Sequence, residues 1–141
     1  MIIDSIRKYM LKCPHLSEFA KGINVDYLGS EADSYSLEET PCVPIVKRYV
    51  DGSSIRRFEF IFCSRESYGA EALQNIANCG FYEHFADWIE EQNRIGELPE
   101  LREGLISQKI ECTSTGYAMQ VDEDTARYQI QLRLTYFKEV I

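Results

Sequence analysis

The stretch Ala126-Arg-Tyr-Gln-Ile-Gln-Leu-Arg-Leu-Thr-Tyr136 decides the fold. Ala126, Tyr128, Ile130, Leu132, Leu134 and Tyr136 fall on one face, and Arg127, Gln129, Gln131, Arg133 and Thr135 on the other. Alternation with period two describes a strand of an antiparallel sheet, one side in a core and the other polar. The polar side carries no acid, histidine or nucleophile. It reads as a surface that holds position or meets a partner.

The same period runs through residues 55–65, where Phe58, Phe60 and Phe62 share a face opposite Arg57, Glu59, Ile61 and Cys63. This run and residues 43–50 flank Asp51-Gly-Ser-Ser54, and a DG turn between strand-like runs predicts a hairpin. Residues 105–121 are strand-like again, with a bulge expected at Ser114-Thr-Gly116 where the alternation shifts register. Asp122-Glu-Asp-Thr125 then forms an acidic turn. Ile23–Gly29 reads as a short strand closed by glycine, and Tyr35–Glu38 as a short, edge-like one.

In residues 69–94 the period becomes three and four: Leu73, Ile76, Ala77, Phe81, Phe85, Trp88 and Ile89 form a helix face. Gly80 sits mid-segment in Asn78-Cys-Gly80, and glycine costs about 1 kcal/mol relative to alanine inside a helix. Two consecutive helices, or one kinked helix, are therefore expected, ended by Gly96 and Pro99. Residues 2–12 place Ile2, Ile3, Ile6, Met10 and Leu11 opposite Asp4, Arg7, Lys8 and Lys12, an amphipathic helix stopped by Cys13-Pro14. The expected fold class is α+β, mainly an antiparallel sheet with an N-terminal helix and a central helix pair packed on one face.

No repeat, low-complexity tract or linker interrupts the 141 residues, so residues 1–141 read as one domain. A hydrophobic content of 45% and an aromatic content of 12% fit a folded globule rather than a disordered chain. No apolar run approaches the ~20 residues of a membrane span. Asp4 breaks the order of a signal peptide, and an intracellular origin is expected. The cysteines (Cys13, Cys42, Cys63, Cys79, Cys112) form no CxxC pair and are odd in number, as expected of reduced, mostly buried thiols. A net charge of −8 disfavours phosphate-backbone binding.

Candidates for chemistry are few. His15 and His84 are far apart in sequence, and Cys13 with His15 supplies only two of the four ligands zinc needs. His84 is expected on the apolar helix face beside Phe81, Phe85 and Trp88. The carboxylates Glu38/Glu39, Glu90/Glu91 and Asp122/Glu123/Asp124 read as solvated, and the last group lacks calcium-loop spacing. Ser67 reads as a cap for the helix starting near Gly69. Arg56, Arg57 and Arg65 could bind an anion, but salt-bridge partners are expected first. No catalytic, cofactor-binding or metal-binding residue is assigned. Residues 83–103 hold Glu83, Asp87, Glu90, Glu91, Glu97, Glu100 and Glu103 against Arg94 and Arg102: either a soluble helix face or a surface that repels nucleic acid.

The segments Lys21-Gly-Ile-Asn-Val-Asp-Tyr-Leu-Gly29, Tyr49-Val-Asp-Gly-Ser53, Gln74-Asn-Ile-Ala-Asn-Cys-Gly-Phe-Tyr82 and Ala126-Arg-Tyr-Gln-Ile-Gln131 resemble, in order, a small family of minor capsid or tail-terminator-like proteins of long-tailed phages and prophages of Gram-positive bacteria. The resemblance implies a structural virion protein, not an enzyme, at the head–tail junction. Such subunits form a homo-oligomeric ring, typically a hexamer, that caps the tail tube and docks to the head connector while DNA passes through without sequence-specific binding. It implies a location in the virion, and in the bacterial host cytoplasm during assembly, without cofactor, metal or membrane. Some acids of 83–103 or 122–124 are expected to face the lumen. Two other readings stand beside it: an intracellular small-ligand module using the cleft over Phe58, Phe60 and Phe62, and a hydrolase using Ser64 or Ser67 with His84.

Overall fold

The computed structural model describes residues 1–14, 23–25, 28, 34–67, 72–121 and 125–140. These residues form two helices and seven strands: α1 (Ile2–Met10), β1 (Ile23–Val25), β2 (Ser34–Thr40), β3 (Ile45–Arg48), β4 (Ser54–Ser67), α2 (Ala72–Ile95), β5 (Leu105–Cys112), β6 (Tyr117–Val121) and β7 (Thr125–Lys138). The strands make one sheet in the order β1-β2-β4-β7-β5, with β3 also on β4 and β6 also on β7. Every pairing is antiparallel except β1 with β2. The α+β class holds, with both helices contributing to a core on one face of the sheet.

The stretch quoted first is the centre of that sheet. β7 pairs with β4 from Ser54↔Lys138 to Ser67↔Thr125, and carries β5 and β6 end to end along its other edge. Ala126, Tyr128, Ile130, Leu132, Leu134 and Tyr136 are all buried, as their alternation predicts. The register sets Phe58, Phe60 and Phe62 beside Leu134, Leu132 and Ile130. Phe60 and Phe62 are fully buried, Phe58 partly. Phe62 stacks on Phe85 of α2 at 4.8 Å, and Tyr9 of α1 packs against Trp88 at 5.4 Å. An aromatic pair adds about 0.5–1.5 kcal/mol beyond its burial, so these contacts fix how the helices lie on the sheet.

The structure corrects several expectations. The central helix pair is one 24-residue helix, uninterrupted at Gly80. The glycine penalty is small beside the apolar surface buried by Phe81, Tyr82, Phe85 and Ile89, each side chain worth about 1.5–3 kcal/mol when fully buried. α2 ends as predicted: Gly96 takes φ +78°, its N–H donates to Asn93 and that of Glu97 to Gln92, a Schellman closure. β2 is a seven-residue interior strand, flanked by β1 and β4, where a short edge strand was expected. α1 stops at Met10, ahead of Cys13-Pro14. Tyr9 takes the buried place expected of Leu11, which is exposed.

The predicted hairpin is present. The N–H of Tyr49 donates to Ser53 at 2.9 Å and that of Gly52 to Tyr49 at 3.0 Å, with Gly52 at φ +93°, as a three-residue loop requires. Asp51 Oδ1 accepts from both the backbone N–H and the hydroxyl of Ser53, which holds its carboxyl below the usual range. The irregularity expected at 114–116 separates β5 from β6. Cys112 faces Leu132 and Tyr117 faces Gln129, so extra residues are accommodated between the strands. The acidic turn at 122–124 and residues 26–27 and 29 of the predicted strand lie outside the described residues.

Candidate functional site

Among the described side chains, Ser64 and His84 do not converge. His84 is exposed: a helix advances ~100° per residue, and a stripe centred on Tyr82, Phe85 and Ile89 leaves it beyond the edge. Ser64 is fully buried, its hydroxyl 2.6 Å from that of Tyr82, which donates in turn to the Tyr128 carbonyl at 3.0 Å. Burial pushes the Tyr82 phenol well up. Ser67 closes β4, and the helix start it was expected to cap, like His15, lies outside the described residues. Among the described residues no group of three or more His, Cys, Asp or Glu is arranged to hold a metal. Cys13, Cys42, Cys63 and Cys112 are not joined in disulfides.

The polar side of β7 is less open than its sequence implies, because acids from neighbouring strands reach its arginines. Arg127 donates to Glu38 of β2 at 2.6 Å, and Glu38 accepts from the Cys63 thiol of β4 at 3.0 Å through the same oxygen. Arg133 donates to Glu59 of β4 at 3.0 Å and lies 3.8 Å from Glu111 of β5. Gln129 and Gln131 both donate to the Tyr117 hydroxyl, at 2.6 and 3.3 Å. Glu38 is thus no solvated carboxylate. Sequence reading missed this cross-strand lattice because each pair joins residues far apart in sequence.

Arg56 and Arg57 also differ from expectation. Arg56 Nε donates to the Ser54 hydroxyl and Arg57 Nε to the Val43 carbonyl, so both brace the hairpin rather than meeting acids. Arg65 reaches Thr125 Oγ1 at 3.5 Å.

Burial of Phe60 and Phe62 closes most of the cleft considered for a ligand. What stays open is a groove of about 550 Å³ at the Phe58 end, where Ile2 and Ile3 of α1 face Arg57, Arg102 and Tyr136.

Two surfaces stand out. The β3–β4 hairpin exposes Val43 (67%), Val46 (57%) and the whole of Val50, together with Lys47 and Arg48. Between positions 43 and 57 it holds four basic residues and one acid, an island in a chain of net charge −8. Sequence reading found the hairpin but missed this patch; the signal was Val43-Pro-Ile-Val46, an unbroken apolar run of which Ile45 and Val46 open β3. The second surface is acidic. Glu83, Asp87, Glu90, Glu91, Glu97, Glu100 and Glu103 are all exposed, and Arg94 is taken up by Glu91 within α2. No family model matches the chain, and no curated protein shows significant similarity to it.

Proposed function

We propose that the chain is a structural assembly subunit of the phage head–tail junction, and specifically a tail terminator whose ring caps the tail tube and docks to the connector. The supporting observation is the exposure of Val43, Val46 and Val50 along the β3–β4 hairpin and the run leading into it, which suits protein contact rather than chemistry. The cross-strand lattice supplies the stiff frame that a ring subunit needs. The exposed acids after α2 (Glu97, Glu100 and Glu103) face the lumen, where like charge lets DNA slide without adhering. Gold-labelled antibody microscopy of particles induced from the source strain tests the reading. Label at the head–tail junction, with overlong tails when the gene is deleted, supports it; label on the shell moves the protein to the capsid. If reversing these acids to lysine leaves assembly and DNA ejection unchanged, the lumen assignment is wrong.

The groove at Phe58 favours a second reading, a small-ligand-binding module without catalysis. A thermal-shift screen separates the two, because a ligand raises the melting temperature by its own affinity and a ring subunit responds to partner proteins.

A further inference from the structure

β4 gives one whole edge to β7, so β3 lies on its other edge, on the same side as β2. β5 lies beyond β7. The hairpin and β5 therefore occupy opposite flanks of one sheet, and their chemistry is opposite too. The hairpin flank projects exposed Val46 beside exposed Lys47 and Arg48, with Lys47 Nζ 5.1 Å from the Tyr49 ring centre. The far flank holds a groove of about 310 Å³ between α2 and β5, lined by Ala86, Ile89, Cys112, Glu90 and Glu111, with Lys109 bound to Glu111 at 3.2 Å. Glu90 has no ion-pair partner among the described residues, and Glu83, Asp87 and Glu91 continue the acidic surface along α2.

We infer that the β3–β4 hairpin of one subunit seats in the α2–β5 groove of the next, Val46 on the apolar floor and Lys47 and Arg48 against the carboxylates of α2. The inference rests on the ring reading and deepens it by naming the two surfaces. A symmetric hairpin-to-hairpin contact is disfavoured, since it sets Lys47 and Arg48 against their own copies, and like charges across an interface are costly. Hydrogen-bonded strand addition at β5 is also disfavoured, because the side chain of Asn93 already occupies the outward N–H and C=O of Ile110. The contact is thus one of side chains and is head-to-tail. Such an interface joins different patches and closes into a ring when its rotation closes.

The test places both thiols at exposed positions, because burial keeps the native Cys112 thiol protonated. The full chain carrying Val46→Cys and, on the groove rim, Lys109→Cys is treated with a short bismaleimide at high protein concentration, and linked species are mapped by mass spectrometry. Dimers and higher species joined through positions 46 and 109 are expected. They should vanish when Lys109→Cys is left out, fall at least about tenfold with Lys47→Glu/Arg48→Glu, and recover when Asp87→Lys/Glu90→Lys is added. Light scattering of the wild-type chain separates the two levels of the argument. Closed oligomers that link elsewhere, or ignore the charge reversals, overturn this interface and leave the ring reading standing. A chain that stays monomeric and unlinked overturns the interface, and absence of label from the head–tail junction then removes the ring reading itself.

Discussion

The side-chain amide of Asn93 pairs with the backbone of Ile110 as a neighbouring strand would. Its Oδ1 accepts the Ile110 N–H at 2.9 Å and its Nδ2 donates to the Ile110 carbonyl. One helical residue thereby ties α2 to β5 and stops that edge from recruiting another strand. Asn93→Leu keeps the size and removes both bonds. Leaving these groups unpaired costs about 1–3 kcal/mol, so the urea midpoint should fall, and concentration-dependent light scattering should rise as the edge opens. A midpoint unchanged from wild type would show that water replaces the amide without loss.

Gly116 and Gly80 should answer alanine in opposite directions. A Cβ on Gly116 would lie 2.4 Å from Cβ of Tyr82, so Gly116→Ala must displace a buried ring and should destabilise by about 1–3 kcal/mol. A Cβ on Gly80 meets nothing within 4 Å, and Gly80→Ala should stabilise α2 by about 0.5–1 kcal/mol. Thermal melts of the two variants check both signs.

Tyr82→Phe removes the hydroxyl that joins Ser64 to the Tyr128 carbonyl beneath α2. The expected loss is about 1–3 kcal/mol, read from denaturant unfolding. Adding Ser64→Ala should cost less than its effect in the wild type, because the two hydroxyls act as a unit; strict additivity would refute the coupling.

Alkali should unfold the protein through its buried thiols. Burial first, and the hydrogen bond to Glu38 second, push the Cys63 thiol from the ordinary 9.0 to about 12. Burial with Glu90 and Glu111 does the same for Cys112, also to about 12. Above pH 9 the unfolded chain releases these protons while the native state keeps them, so the unfolded state binds fewer protons and stability falls as pH rises. The contribution is complete below about pH 9 and lost as pH passes about 12. Urea midpoints across that range should decline, less steeply in Cys63→Ala. Iodoacetamide at neutral pH should spare Cys63 until urea is added, since the thiolate is the nucleophile.

What the sequence disclosed follows from the range of each interaction. Alternation in 126–136 and at Phe58, Phe60 and Phe62 is a local record of which side meets the core, and both faces were legible. The hairpin and the Gly96 stop were legible because each depends on a glycine at positive φ within a few residues. Gly80 misled because propensity is local while the packing that overrides it is not. The interior place of β2, the acid partners of Arg127 and Arg133, and the amide of Asn93 on Ile110 are contacts between distant residues, and no window of sequence contains both partners. Of the two surfaces proposed for assembly, the hairpin patch lies within residues 43–50, whereas the α2–β5 groove joins Ala86, Ile89 and Glu90 to Lys109, Glu111 and Cys112 only through folding.

The pairing of β7 on both edges has a consequence for how the chain comes into being. On the ribosome β2, β4, α2, β5 and β6 are all made before β7, yet β4, β5 and β6 find their long partner only in β7. Until then the Phe58, Phe60 and Phe62 side of β4 has half its neighbours and β5 has none of its ladder. Pairing across such separations is slow to form and exposed to aggregation meanwhile. The nascent chain therefore stays unfinished until residue 138 leaves the exit tunnel, and the ladders of β7 with β4, β5 and β6 form only in that late step.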